Sequence, residues 1–263
     1  MSNNPVLEKS LLVEIHRGIC VLTLNRPEKR NALNDELVSA LRSALNTAET
    51  DESVRVIIIR GAGKDFCSGA DLSTIQKMAT ASYEENLEDA RSLGELFKSI
   101  RRARMPVIAA VRGRALAGGC GLAMACDIIV SDSTGIFGFP EVKIGFVPAM
   151  VAAIVRRNMF EKDAFAWLTQ GFEMKAVELR NFGLVHEIFK DETFDDDVIR
   201  FASVYEKVSR SAVEMTKRLL YEIDGSDFSE AIERGAQANA RARMTDDCRN
   251  GIARFLNKDT KPR

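Results

Sequence analysis

Three short runs, VRVIIIRG (54–61), PVIAAVRG (106–113) and CDIIVSD (126–132), place β-branched or small apolar residues at consecutive positions. A strand solvated on one face alternates apolar with polar residues, whereas a run apolar throughout reads as a strand covered on both faces. Segments of helical period lie around these runs. NDELVSALRSALNTAE (34–49) opens with cap candidates at Asn34 and Asp35 and repeats Leu37, Leu41 and Leu45 on one face. The stretch from Tyr83 to Arg104 reads as a long amphipathic helix. Buried strands that alternate with helices need crossover connections, which implies a mainly parallel sheet and an α/β fold. The first pair differs: LLVEIHRGICVLTLN (11–25) reads as two strands joined by a tight turn at Arg17–Gly18.

A chain of 263 residues with 46% hydrophobic content can bury one large core. After about residue 190 the pattern changes: acidic KDETFDDD (190–197) leads into charge-rich helical segments broken at Gly225 and Gly251. The expected division is a core over 1–195 and a C-terminal helical region over 196–263, packed on the core or on a neighbouring subunit. A formal net charge of −1 gives no basic face for nucleic acid. No apolar run approaches the ~18 residues of a membrane span, and MSNNPVLEKS lacks a signal-peptide pattern, so no membrane partner is expected. The five cysteines lack CxxC spacing and read as reduced thiols of a cytoplasmic protein. With only His16 and His186 in the chain, a histidine-based metal site or triad is not expected.

Glycine-rich turns carry the chemistry. GRALAGG is no phosphate loop, because Gly119 stands where lysine is needed, and GAGKDF lacks the third glycine of a dinucleotide fingerprint. FCSGADL (66–72) and LAGGCGL (116–122) each follow a predicted buried strand and precede a predicted helix. Backbone N–H groups in such turns are free to stabilise an oxyanion. Glu141, in the apolar stretch GIFGFPEVKIGFVPAMV, is the candidate acid–base group, since burial raises a carboxyl toward a useful range.

NRPEKRNAL, GAGKDFCSGADL, ALAGGCGLAMACDI and FGFPEVKIGFVP, followed by GLVHEIF and GIARFLNK, resemble the ordered motifs of the crotonase superfamily, the enoyl-CoA hydratases and isomerases. The resemblance implies a spiral of ββα units with a C-terminal helical region that builds a homotrimer or homohexamer. It implies an acyl-CoA substrate, with coenzyme A as part of that substrate and no separate cofactor or metal. The backbone N–H groups of Ala70 and Gly118 match the oxyanion hole for the thioester oxygen, and Glu141 matches a catalytic glutamate. Arg26, Lys29 and Arg30 match the region that meets the CoA phosphates, and Ser68, Asp71, Leu72 and Ser73 the region around adenine. Many relatives carry lysine where Ser73 stands. Phe255 and Lys258 match a pair that reaches the adenine of a neighbouring subunit.

Two departures bear on the reaction. Gly121 stands where many hydratases have a first glutamate, and VPAMVAAIV (147–155) replaces a glycine-rich PGAGGT, making that helix start bulkier and more apolar. The readings open on sequence are hydration of a 2-enoyl-CoA (including the methylglutaconyl-CoA type), 3-enoyl to 2-enoyl isomerisation, and decarboxylation. In a different class stands a non-catalytic acyl-CoA-binding or RNA-associating protein. A carboxylate introduced at position 121 is expected to add hydratase activity if the side chain finds room.

Overall fold

The computed structural model describes residues 9–259, with side chains through Asn257. The hairpin comes first: β1 (Leu11–His16) and β2 (Ile19–Leu24) pair antiparallel, Leu11 opposite Leu24. Its two turn residues, Arg17 (φ 47°) and Gly18 (φ 76°), are both left-handed, the conformation whose twist suits a two-residue hairpin. There follow α1 (Asp35–Thr50), β3 (Val56–Gly61), α2 (Leu72–Met78), α3 (Tyr83–Arg102), β4 (Val107–Val111) and β5 (Arg114–Leu116). Next come α4 (Gly118–Ala125), β6 (Ile128–Ser131), β7 (Ile136–Gly138), α5 (Ala149–Asn158), α6 (Glu161–Gln170) and β8 (Glu173–Lys175). The chain continues through α7 (Ala176–Asn181), β9 (Glu187–Ile188), α8 (Phe194–Ala202), α9 (Arg210–Glu222), α10 (Phe228–Arg243) and α11 (Asp246–Asp259). The Asn34 side chain accepts from Leu37 N–H and starts α1; a Ser82–Glu85 capping box starts α3.

The large sheet has the order β1-β2-β3-β4-β6-β9, parallel after its first pair. A second layer holds β5-β7-β8 and is extended by the parallel bridges Leu33↔Ala70 and Cys67↔Ala115. Each circuit of the chain therefore leaves one strand in the large sheet and one short extended segment in the second layer, then turns into a helix. β2, Leu33 and α1 make the first circuit; β3, Cys67–Ala70 and α2–α3 the second; β4, β5 and α4 the third. β6, β7 and the 3₁₀ turn Pro140–Ile144 make the fourth. This is the spiral of ββα units that the motifs implied.

Period-two alternation divides the strands between two cores. Ile57 and Ile59 of β3, with Leu22, Leu24 and Val107, face the helices α1, α3 and α4. Val56 and Ile58, with Ile19, Val21, Ile108 and Val130, face Phe194, Val198 and Ala202 of α8. Helix α8 spans residue 195 and seals the second face of the sheet, so the C-terminal helices begin as part of the core. No helix is long and apolar enough to cross a membrane among the described residues.

A buried ion pair attaches the later helices. Lys217 Nζ of α9 donates to Asp127 Oδ2 (2.7 Å) and to the carbonyls of Ile100 and Met105 (both 3.0 Å). Asp127 also accepts from Val107 N–H and Tyr221 Oη–H. Burial pushes the Lys217 ammonium down, and Asp127 opposes that shift. Removing one partner of such a pair leaves the other charge buried, at a cost of about 3–5 kcal/mol. Lys217→Met is therefore expected to lower the unfolding free energy measured by urea titration by that amount, whereas Lys98→Met, which breaks an exposed pair with Glu95, is expected to change it by less than about 1 kcal/mol.

Candidate active site

Residues that the sequence scatters over 70 positions meet because successive circuits stack. In the second circuit Leu33 N–H donates to Gly69 O (2.7 Å) and Asp71 N–H to Leu33 O (2.8 Å). In a parallel bridge the residue between those two bonds turns its own N–H to the opposite side, so Ala70 presents its N–H away from Leu33. In the third circuit Gly118 is the first residue of α4, whose early N–H groups have no intrahelical acceptor. Cys67 joins the two turns by accepting from Leu116 N–H (2.9 Å) and donating to Arg114 O (2.9 Å). Gly69 (φ +97°) lies so close that a Cβ there would stand 2.7 Å from Ala117 Cβ and 3.6 Å from Gly118 N. Both candidate donors thus belong to one composite turn. Ala117, just before Gly118, has φ 52° and ψ −126°, a strained conformation for alanine that the sequence did not signal.

The fourth circuit brings Glu141. Pro140 opens a 3₁₀ turn after Phe139, which is fully buried and packs edge-on against Trp167 at 4.8 Å. The turn ends at Gly145 (φ 79°), with Phe146 N–H donating to Glu141 O (3.0 Å). Glu141 Oε2 is buried and has no hydrogen-bond partner among the described residues. Burial raises its carboxyl above the usual range, opposed in part by its own backbone N–H. Its charge in turn helps push up the thiol of Cys120, in the first turn of α4. A largely desolvated carboxyl therefore acts on the first turn of α4 that carries the candidate donor Gly118, and burial pushes the thiols of Cys67 and Cys120 up.

The enoyl-CoA hydratase/isomerase family model matches residues 14–262. The chain belongs to this family. It is 37% identical over 248 residues to a putative enoyl-CoA hydratase of Thermus thermophilus, covering 94% of this chain and 98% of that one. The 2,3-dehydroadipyl-CoA hydratase of Escherichia coli is 32% identical over 251 residues, 95% of this chain and 96% of that one. The crystal structure of an enoyl-CoA hydratase from Mycobacterium smegmatis superposes with a TM-score of 0.91 at 32% identity, covering 95% and 97% of the two chains. These likenesses establish the crotonase superfamily and its fold.

Within this family member, the residues matched to nucleotide binding differ in availability. Arg26 is tied up inside the protein, donating to Ala32 O and pairing with Asp71 at 2.6 Å. Asp71 is buried; bonds from Ser73 N–H and then from Arg26 hold its carboxyl below the usual range. That ion pair clamps the 25–33 loop to the GAD turn, so the Arg26 charge is already partnered, while Lys29 and Arg30 are exposed. Leu72 and Ser73 lie exposed at the start of α2, and Ser68 is half-buried, its N–H donating to Arg30 O. Phe255 is exposed on α11, and the Lys258 side chain lies outside the described residues.

At Gly121 the structure leaves no room for the carboxylate whose introduction was conditional on space. A Cβ there would stand 2.4 Å from Val151 Cγ1 and 2.9 Å from Phe97 Cζ. Val151 comes from the apolar start of α5 and Phe97 from α3, and together they fill the place a first glutamate would need. The departures at 121 and at 149–151 are thus one substitution in space: hydrocarbon replaces a carboxyl. Gly121→Ala is expected to destabilise by about 1–3 kcal/mol through overpacking. Gly121→Ala with Val151→Ala is expected to recover part of that loss, because the clashing methyl is gone. Thermal denaturation of the two variants and of Val151→Ala measures the coupling, and purely additive losses would show that the two residues do not compete for space.

Proposed function

We propose that the chain hydrates a 2-enoyl-CoA thioester with Glu141 as its single acid–base group. The observation that carries this reading is the buried Glu141 Oε2, which has no hydrogen-bond partner among the described residues and whose carboxyl acts on Cys120 in the turn that carries the candidate donor Gly118. The thioester oxygen sits between Ala70 N–H and Gly118 N–H. Glu141 takes a proton from water as the oxygen adds to C3, and the electrons of the double bond move onto the thioester oxygen as an enolate. The Glu141 acid then returns that proton to C2, completing the addition of one water. Two preorganised donors act where the charge develops, and losing one typically costs 10²- to 10³-fold in rate.

A second reading has its own observation. The hydrocarbon of Phe97 and Val151 at Gly121 gives no polar hold for water on that side. The same Glu141 then serves 3-enoyl to 2-enoyl isomerisation, removing a proton from C2 and delivering it to C4. Reaction in doubly labelled water separates the two: oxygen label in the product means hydration, and deuterium at C2 or C4 without oxygen label means isomerisation. The assembly we propose is a trimer or hexamer, supported by exposed Leu220, Phe228, Ile232, Phe255 and Leu256 on the C-terminal helices. The cysteines are unpaired, which suits the cytoplasm.

Glu141→Gln is expected to lower turnover by 10²- to 10⁴-fold while leaving the affinity for an acyl-CoA product nearly unchanged. It carries a stability signature of opposite sign. Because the folded carboxyl is raised, ionised Glu141 costs stability above its folded pKa, and this cost disappears below the ordinary carboxylate range. The Gln variant is therefore expected to melt at or above wild type at neutral pH, with the gap closing as pH falls toward 4. Near wild-type turnover in the folded variant would remove Glu141 from the mechanism.

Gly118→Pro deletes one oxyanion donor at a helix position that tolerates proline, and is expected to lower turnover at least 10²-fold. Gly118→Ala keeps the N–H, and its Cβ meets Leu33 and Leu93 at ordinary contact distances of 3.5 and 3.6 Å. Alanine is expected to retain most activity; equal losses in both variants would mean that the turn's shape, not its N–H, is what matters.

A further inference from the structure

The turn that carries Ala70 does little to fix its N–H by itself. Gly69, just before it, has φ +97° and no side chain to restrict it. The bridge across Ala70 consists of two bonds, Leu33 N–H to Gly69 O (2.7 Å) and Asp71 N–H to Leu33 O (2.8 Å). A two-bond bridge next to a glycine leaves the Ala70 peptide free to tilt unless a further contact ties its two sides together. Arg26 supplies that contact. One arm of its guanidinium donates to Ala32 O, just before Leu33. The other pairs with Asp71 Oδ2 (2.6 Å), just after Ala70. The planar fork therefore staples the two segments that form the bridge, with one acceptor on each.

The staple is itself anchored. Asn31, fully buried at φ 54°, engages both backbone groups of Arg26. Arg26 N–H donates to Asn31 Oδ1 (2.9 Å), and Asn31 N–H donates to Arg26 O (2.8 Å). The Asn31 carboxamide N–H groups donate in turn to Ala62 O and Asp65 O (both 2.8 Å), just beyond β3. The guanidinium thus starts from a backbone fixed to the large sheet. The Arg26 and Asp71 side chains are only 16% and 9% exposed, so water and salt screen the pair weakly. Asp71 Oδ1 is taken as well, accepting from Ser73 N–H (3.1 Å) at the start of α2. Charge adds to geometry. A bare carboxylate on the residue after Ala70 would oppose negative charge gathering at the Ala70 N–H, and the guanidinium neutralises it.

We propose that Arg26 is a positioning residue for the reaction rather than a contact to coenzyme A: by bridging Ala32 O and Asp71, its guanidinium aims the Ala70 N–H at the thioester oxygen. The proposal rests on the oxyanion reading of Ala70 but not on which proton transfer Glu141 performs. Butyryl-CoA, saturated and labelled at its carbonyl carbon, tests it by infrared difference spectroscopy on the intact protein. Hydrogen bonds to a carbonyl oxygen lower its stretching frequency, so the bound wild-type complex is expected to absorb below the free thioester. Arg26→Met is expected to lose about half of that lowering, as when one of two donors is off target. Its affinity for coenzyme A, measured by calorimetric titration, is expected to stay within about twofold of wild type, a split that separates positioning from ligand binding. Arg26→Lys keeps the charge but cannot bridge both acceptors, and is expected to fall between wild type and Met. Should the Met variant fail to fold, the Lys variant decides, a reduced lowering supporting the proposal. The full wild-type lowering in either variant would overturn it. So would a loss of about tenfold or more in coenzyme A affinity, the scale of a lost hydrogen bond to a charged group. If wild type leaves the carbonyl frequency of butyryl-CoA unchanged, the oxyanion reading itself fails, and with it this one.

Discussion

The site depends on one strained residue and the bond that holds it. Ala117 sits at φ 52°, ψ −126°, where an L-residue with a Cβ costs about 1–3 kcal/mol. Its N–H donates to Gly138 O (2.8 Å), and its carbonyl accepts from Gly121 N–H (2.9 Å), the bond that starts α4. Relaxing Ala117 would rotate the following peptide and carry Gly118 N–H off target. The same bond fixes a second relation. Gly138 ends β7 only three residues before Glu141, so one hydrogen bond registers the oxyanion donor we propose, Gly118, against the acid–base group we propose, Glu141. The lack of a side chain at Gly69 is part of the same constraint, because any Cβ there would strike Ala117.

The spiral makes such registration inexpensive. Ala70 ends the second-layer segment of its circuit, Gly118 and Glu141 follow those of theirs, and the circuits are joined by Leu33↔Ala70, Cys67↔Ala115 and β5–β7. Parallel pairing fixes the stacking, and the large sheet behind it, apolar on both faces, cannot slip by one residue without exposing an entire core face. The later helices are fastened to the same frame by Lys217 and Asp127, whose carboxylate also holds Val107 N–H at the start of β4.

Much of this was legible in residues whose signal is local. The hairpin turn, the Asn34 cap and the consecutive apolar runs of β3, β4 and β6 announce themselves because propensity and burial agree there. The two glycine turns and Glu141 were visible as motifs. What the sequence could not show depends on pairs far apart in the chain. Arg26 reads as a free cation beside a phosphate until Asp71, 45 residues away, takes its guanidinium. Whether Gly121 leaves room for a carboxyl cannot be read until Val151 and Phe97, on two other helices, are seen to fill the space. Ala117 carries no mark of strain, since alanine suits any regular element.

The single carboxyl has an electrostatic consequence for the reaction we propose. In the proposed reaction the negative charge starts on Glu141, where burial disfavours it. At the enolate the charge lies on the thioester oxygen, between two N–H donors at the positive end of α4, and Glu141 is neutral. Proton transfer thus moves charge from a place that repels it to a place built to receive it, and the desolvation that raises Glu141 lowers the barrier to its taking a proton. A second ionised carboxylate at position 121 would stand near the first turn of α4 and oppose the enolate by like charge. Phe97 and Val151 place hydrocarbon there instead, so the enolate of the proposed reaction meets no second negative charge from position 121.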